Sequence, residues 1–150
     1  MSEPEKLPPI RETIIIEAGI DKVWRTMTSA QTVPRWLGCL QYEARLGAIF
    51  FMQQDQAKAA AGDLTGATHC EILALETPKH FRFSWFVPDF PATFISFRLE
   101  MLSPARTKVL FEHEGWDQFP PGMIRSIYDA LSGGWKSFVL PGLKREAETP

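Results

Sequence analysis

The clearest pattern in this chain is a series of segments in which apolar and polar residues alternate. In HFRFSWF the large rings of Phe81, Phe83 and Trp85 alternate with polar residues, and FISFRLEM repeats the pattern. In TKVLFEH, His113 has the same parity as the apolar positions. Successive side chains of a strand point to opposite sides, so these segments predict strands with one buried and one exposed face. Such strands are typical of an antiparallel sheet.

Other segments add strands to this sheet. IRETIIIEA at 10–18 is rich in β-branched residues, which favour strands. LQYEARL and AIFFMQQ flank Gly47 and are predicted to form a hairpin, and THCEILALE is predicted as a further strand. The total is about six to seven strands in one antiparallel sheet. The polar, small-residue segment at 55–66 is predicted to be a loop.

Helical periodicity predicts two short helices after the first strand and one long helix near the C-terminus. GIDKVWRTMTS carries Asp21 in a position to cap a helix, and SAQTVPRWLG carries Pro34, which fits a first helical turn. The long helix is predicted to start near 121–123 and to run to about Leu140. Pro141 either ends or kinks it, because a proline ring clashes with the carbonyl four residues earlier.

Two glycines interrupt the apolar stripe of the long helix. Gly134 lies on the stripe and Gly133 beside it, although a glycine inside a helix costs about 1 kcal/mol relative to alanine. One explanation is close packing of the helix on the sheet. The other is that the missing side chains leave a hollow between helix and sheet. The stripe consists of Ile124, Ile127, Tyr128, Leu131, Trp135 and Phe138.

Composition narrows the class of protein. The 150 residues carry a formal net charge of −2, and without a basic excess the chain is not expected to bind nucleic acid. No apolar run reaches the roughly 18 residues that a membrane span requires, and the N-terminal segment lacks the apolar core of a signal peptide. We therefore expect a cytoplasmic protein in which Cys39 and Cys70 are reduced.

No motif of a catalytic, metal or phosphate site stands out. The chain has no HExxH, no CxxC pair, no GxSxG elbow and no phosphate-binding loop, so we predict no catalytic residue, metal site or cofactor. His113 is the histidine with the clearest inward parity, and the sequence pairs it with no base. A hydrogen-bonded core histidine is therefore favoured over a catalytic one.

Several motifs, in this order and spacing, resemble the START-like helix-grip (SRPBCC) superfamily, in the branch related to the activator of Hsp90 ATPase. They are VWRTMTSAQTVPRWL, ETPKHFRFSW, FEHEGW and GGWKSFVLPGLK. The likeness spans 10–145, with 1–9 as a disordered lead-in and 146–150 as a tail. It implies an α+β fold in which a curved antiparallel sheet wraps around the long C-terminal helix and encloses an apolar cavity. Pro141 departs from the family, whose helix usually continues at this point.

The resemblance implies several functions, because the superfamily includes lipid and small-molecule binders, cyclase-like enzymes and a co-chaperone domain. With 5 Trp and 11 Phe in the chain, we predict a protein that binds an apolar or aromatic small molecule, with a stress-related role. The alternatives are an Hsp90-type co-chaperone and a cyclase- or hydrolase-like enzyme that uses His113. A homodimer is left open.

The predicted ligand site lies between the sheet and the long helix. Aromatic rings are expected to form its walls, and the hydroxyl of Tyr128 is expected to orient a polar group of the ligand. The predicted ligand-binding residues are Trp36, Phe83, Trp85, Phe97, Phe111, His113, Trp116, Met123, Tyr128, Gly134 and Trp135.

Overall fold

The computed structural model describes residues 7–53, 55–88, 90–119 and 124–149. The described strands are β1 (Ile10–Ile16), β2 (Cys39–Leu40), β3 (Ile49–Met52), β4 (Thr68–Glu76), β5 (His80–Trp85), β6 (Thr93–Ser103) and β7 (Arg106–Glu114). The described helices are α1 (Ile20–Thr28), α2 (Val33–Leu37), α3 (Gln56–Ala61), α4 (Arg125–Gly134) and α5 (Leu140–Glu148). A 3-10 turn covers Trp116–Gln118, and a π-helical turn, Trp135–Val139, joins α4 to α5.

The strands form one antiparallel sheet in the order β1-β7-β6-β5-β4-β3-β2. β1 therefore pairs with β7, from the other end of the chain, and Ile10 lies opposite His113. The sheet curls into a half-barrel around the C-terminal helix. α5 packs against α1, α2 and β1. The α+β helix-grip architecture that the motifs imply is confirmed.

The predicted faces of the central strands are the buried ones. Phe81 and Phe83 of β5 and Phe111 of β7 are at most 2% exposed. One row crosses β7, β6 and β5 through the paired residues His113, Ile95 and Phe83, and all three are buried. His113 is thus a polar member of an otherwise apolar row.

The predicted hairpin forms, but its first strand is much shorter than expected. Of the segment LQYEARL, one residue, Leu40, belongs to a strand. Gln41 takes a left-handed φ of 60°, which turns the chain out of the extended conformation. The other half of the hairpin, β3, forms as predicted and pairs with β2 on one side and β4 on the other.

Two helix predictions also need correction. The segment predicted as a loop contains α3, whose run of alanines favours a helix and whose start is capped by the carboxylate of Asp55. In α1 the capping position is Gly19, and Asp21 lies in the first turn instead. Its negative charge there still stabilises the helix through its interaction with the positive end of the helix dipole.

The C-terminal helix runs through Pro141 to Glu148 and does not end near Leu140. The N–H of Leu140 bonds to the carbonyl of Trp135, five residues earlier, so the backbone is wider just before the proline. We attribute the tolerance of Pro141 to this π turn, which moves the preceding carbonyls out of the regular α-helical register. The predicted helix start at 121–123 lies outside the described residues.

The π turn also shifts the apolar stripe of the helix by one residue. Trp135 is 2% exposed, and the next buried side chain is Leu140, five positions later. Phe138, predicted to lie on the stripe, is 76% exposed. A helical period that runs unbroken through the π turn therefore places Phe138 on the buried face, although it lies on the exposed one.

Close packing does not explain the two glycines. A Cβ built on Gly133 or Gly134 would have no described atom within 4 Å beyond its own surroundings in the helix, and Gly134 has an ordinary helical φ of −63°. Gly134→Ala is therefore expected to raise the free energy of unfolding by about 1 kcal/mol, as measured by urea denaturation. Gly115→Ala is the opposing control, because its φ is 101° and its Cβ would lie 3.2 Å from the Cα of Thr93. A loss of stability in Gly134→Ala would contradict the conclusion that the space around Gly134 is open.

Candidate functional site

The buried face of β7 carries a histidine that is completely enclosed. The side chain of His113 is bonded at both ring nitrogens: Nε2 lies 2.7 Å from Thr93 Oγ1, and Nδ1 accepts from Trp135 Nε1 at 3.3 Å. The hydroxyl of Thr93 donates in turn to the carbonyl oxygen of Trp85 at 3.0 Å. One imidazole therefore links the sheet to the C-terminal helix.

These bonds determine the tautomer of His113. An indole N–H can only donate, so Nδ1 is the acceptor and Nε2 carries the proton that is donated to Thr93. Burial lowers the pKa of His113 to about 3, because the imidazolium would lose its hydration. The ring is therefore neutral at pH 7 and has no nitrogen free to take a proton from a substrate. This geometry favours the core-histidine interpretation.

Aromatic rings surround this imidazole. The ring centres of Trp116, Trp85 and Trp135 lie 4.5, 5.6 and 6.1 Å from that of His113. Trp116 Nε1 also donates to the His113 carbonyl at 2.9 Å, and the Tyr128 ring meets Trp116 edge-on at 5.3 Å. We call these five residues the aromatic cluster. Together they join β5, β7, the 3-10 turn and the C-terminal helix.

An apolar hollow of about 180 Å³ lies beside the aromatic cluster, between the end of β5 and the start of α4. Phe90 and Phe119 form one side, with nearly parallel rings whose centres are 6.5 Å apart. Phe90 and Ile127 are 42% and 44% exposed, so the hollow is open to solvent. Its lining is almost entirely apolar and consists of Trp85, Val87, Phe90, Phe119, Ile124 and Ile127.

The predicted ligand-binding residues fall into separate groups in the structure. Trp85 lines the apolar hollow. The other predicted members of the aromatic cluster, which are His113, Trp116, Tyr128 and Trp135, do not belong to the lining of the hollow, although the ring of Trp116 lies 6.3 Å from that of Phe119.

The remaining predicted residues lie farther along the sheet or outside the described part of the chain. Phe97 contacts the rings of Trp36 and Phe111, with centres 5.7 and 5.3 Å apart, and all three are buried. Phe83 belongs to the same packed core. Gly134 is half-buried beside open space, and Met123 lies outside the described residues.

Five residues of the apolar hollow were not predicted as ligand-binding. Ile124 and Ile127 were on the predicted helical stripe, so their positions were available as a signal. Phe90 and Phe119 stand in the proline-bounded loops VPDFPAT and EGWDQFPPG. A loop sequence has no periodic pattern from which the direction of a large ring could be predicted. Only the fold shows that these two loops meet.

The outer face of the sheet carries a second, polar depression of about 340 Å³. Four of the charged side chains around it are paired across strands: Arg82 lies 3.0 Å from Glu114, and Arg11 lies 2.7 Å from Glu112. The hydrogen bond from Arg11 holds the pKa of Glu112 below its usual range. Cross-strand pairs of this kind stabilise sheets, which is sufficient to explain them.

Other candidate chemistry is not supported by the described residues. Cys39 and Cys70 are buried and unpaired, and burial raises the pKa of Cys39 to about 12, so its thiol is protonated at pH 7. Within the described ranges, no group of three His, Cys, Asp or Glu side chains is placed to hold a metal ion. No helix among the described residues is long and apolar enough to cross a membrane.

A half-barrel sheet that curls around a C-terminal helix, with an aromatic interior, defines the START-like (SRPBCC) class of proteins. A family model described as "Activator of Hsp90 ATPase homolog 1-like protein" matches residues 17–148. The chain belongs to this family. A comparison with curated proteins finds no match.

Solved structures show the same fold at low sequence identity. A crystal structure of a protein from Mesorhizobium loti is 22% identical, covers 93% of this chain and 96% of its own, and has a TM-score of 0.73. The solution structure of the Aha1 dimer from Colwellia psychrerythraea is 19% identical, with coverage of 95% and 97% and a TM-score of 0.69. An HSP90 activator from Plasmodium falciparum is 14% identical, with coverage of 95% and 97% and a TM-score of 0.71.

Proposed function

We propose that this protein binds an apolar or aromatic small molecule in the apolar hollow between β5 and α4. The observation that carries the proposal is the lining: six apolar side chains, three of them aromatic, around an opening to solvent. Ligand sites are typically concave and mainly apolar. The ring of Trp85, which packs against His113 in the aromatic cluster, would form a wall behind the ligand.

The size of the hollow limits what it can hold. An engineered protein cavity of about 150 Å³ accepts benzene, whereas sites for drug-sized ligands begin near 300 Å³. At about 180 Å³ this hollow fits one ring or the end of a hydrocarbon chain. The part of the ligand that it encloses would carry no hydrogen-bonding group.

Filling the hollow tests this function. Ile127→Trp adds a ring from the α4 side, and we expect binding of benzene and decanoate to weaken at least ten-fold. Because Ile127 is 44% exposed, the larger side chain need not disturb the core. Isothermal titration calorimetry with benzene, indole, naphthalene and decanoate would give the affinities.

The matched control is Ile49→Trp, at a 54% exposed isoleucine on β3, outside the hollow. It should leave the affinities unchanged. Native mass spectrometry of the purified protein would detect a retained ligand. No binding of any of the four probes, or equal weakening in both variants, would contradict the proposal.

An Hsp90-type co-chaperone is the second candidate, and the family description favours it. A solved relative from Plasmodium falciparum is described as an HSP90 activator. The test is whether the purified protein raises the ATPase rate of Hsp90 from its own source. The third candidate, a cyclase- or hydrolase-like enzyme, has no support from the geometry of His113.

Location, a stress role and assembly belong to the same proposal. Two buried, unpaired cysteines fit a reducing compartment such as the cytoplasm. Family membership is the support for a stress-related role. The Aha1 relative from Colwellia psychrerythraea is a dimer, and analytical ultracentrifugation would test a homodimer here.

A further inference from the structure

We propose that α4 is a lid over the apolar hollow, and that it swings about Gly133 and Gly134 while the rest of the C-terminal helix stays in place. The ligand-gating part of this inference rests on the proposed function, but the movement itself does not. The two halves of this continuous helix differ sharply in how they are held.

The second half of the helix is firmly fixed. The π turn buries Trp135, and α5 buries Leu140 and Leu143. The ammonium of Lys144 donates to the carbonyl oxygen of Ile15 at 2.7 Å, which ties α5 to the edge strand β1. The first half differs, because α4 contains no buried residue. Few buried contacts are what distinguish segments that open at low free energy.

The change from loose to fixed falls at the two glycines. Gly133 and Gly134 end α4, and the next residue, Trp135, is held by its hydrogen bond to His113. A Cβ at either glycine would meet no described atom within 4 Å outside its own stretch of helix, so no packing requirement explains the missing side chains. Glycine gives the backbone the freedom that a hinge needs.

The hollow lies directly under the start of this lid. Ile124 and Ile127 line it from the helix side, while Trp85 and Phe119 line it from the body of the protein. Moving α4 outward would therefore enlarge a space that now measures about 180 Å³. The ligand class changes accordingly: fused rings or a longer hydrocarbon chain would fit the open form.

Tyr128 is a tie that holds the lid in its closed position, and Leu131 of α4 packs with it against the core. The hydroxyl of Tyr128 donates to the carbonyl oxygen of Pro8 at 2.7 Å, and the Tyr128 ring packs edge-on against Trp116. A neutral hydrogen bond of this type changes an equilibrium about five-fold. Tyr128→Phe keeps the ring and removes the bond, so it should increase the open fraction by about that factor.

Spin-label distances in the ligand-free protein test the movement. Labels on Ala130→Cys and Met101→Cys report the distance from α4 to β6, and both positions are exposed. The native cysteines are buried, so labelling goes to the introduced ones. The control pair, Arg145→Cys with Met101→Cys, reports on α5. We expect two distances for the α4 pair and one for the α5 pair, measured by double electron–electron resonance.

Variants separate a hinge from general loosening of the helix. The double variant Gly133→Ala with Gly134→Ala should reduce the fraction of molecules that show the second α4 distance several-fold. Gly142→Ala also adds a methyl group to the helix, but it should leave this fraction unchanged. Gly142 is a fair control because its Cβ would meet Trp36 at an ordinary 3.7 Å. In hydrogen exchange, a rigid swing leaves the amides of α4 protected.

Two results would overturn the lid. One is a single α4 distance in the wild type and in Tyr128→Phe. The other is fast amide exchange throughout α4, which would mean unfolding instead of a swing. Movement without binding of any of the four probes would support the lid and count against the proposed ligand function, so the two proposals fail separately.

Discussion

Acidification from pH 7.5 to pH 5 is expected to lower the free energy of unfolding by about 2 kcal/mol through His113 alone. The pKa of His113 is about 3 in the folded protein, against 6.5 for an unperturbed histidine. A group whose pKa is lowered on folding binds its proton in the unfolded state first. Stability is therefore complete above pH 6.5 and falls by about 1.4 kcal/mol for each pH unit down to pH 3.

The pH range is chosen to isolate the imidazole. The pKa values of Glu112 and Glu148 are lowered by their hydrogen bonds to Arg11 and Lys144, so these carboxylates stay ionised at pH 5. Urea denaturation at several pH values would give the slope. His113→Gln removes the titrating group while leaving an amide that can accept and donate. The difference between wild type and variant is the contribution of His113.

Equal pH slopes in the two proteins would contradict the buried, neutral imidazole. A carbon-detected NMR titration of the histidine rings gives the same answer without a variant. The His113 ring should remain in its neutral Nε2–H form throughout the range from pH 7.5 to pH 5.

Trp135→Ala is expected to destabilise the protein by about 3–5 kcal/mol, the range for removing a large buried aromatic side chain. Trp135 is 2% exposed, and its ring centre lies 4.7 Å from that of Phe111. The substitution leaves a cavity and also removes the donor to His113 Nδ1. Trp135→Phe separates these effects, because it keeps most of the ring and loses the N–H. We expect about 1–3 kcal/mol for the unpaired nitrogen.

Phe138→Ala is the matched control for this experiment. Phe138 lies three residues later in the same helix but is 76% exposed, so its removal should change stability by no more than about 0.5 kcal/mol. Thermal and urea unfolding of the three variants would check the order. A large loss in Phe138→Ala would contradict the shift of the apolar stripe at the π turn.

Much of the fold was predictable from local patterns, because the direction of each side chain along a strand or helix is set by the local backbone geometry. Alternation over β5, β6 and β7 predicted both the strands and their buried faces, because the side-chain period of a strand is two. The resemblance of the motifs to the START-like superfamily predicted how the strands and helices are arranged, which periodicity alone does not show. The failures were also local: φ at Gln41 and the alanine-rich α3 depend on turn and helix chemistry that the alternation does not record.

The candidate site was predictable in part. Inward parity placed His113 and Trp85 on the buried face, and the helical period placed Tyr128 and Trp135 opposite them. Their neighbours across the site were not predictable. Phe90 and Phe119 come from separate loops, and no pattern in the sequence shows that their rings meet.

The sequence by itself determined the class of fold, the buried faces of the central strands and the absence of catalytic or metal-binding motifs. Tertiary structure decided the register of the C-terminal helix. A π turn ahead of Pro141 widens the backbone, carries the helix on to Glu148 and turns Phe138 outward. The tertiary structure also decided the state of His113, because burial keeps the imidazole neutral and its neighbours supply one donor and one acceptor for its two nitrogens. Those neighbours, Trp135 and Thr93, lie 22 and 20 residues away along the chain.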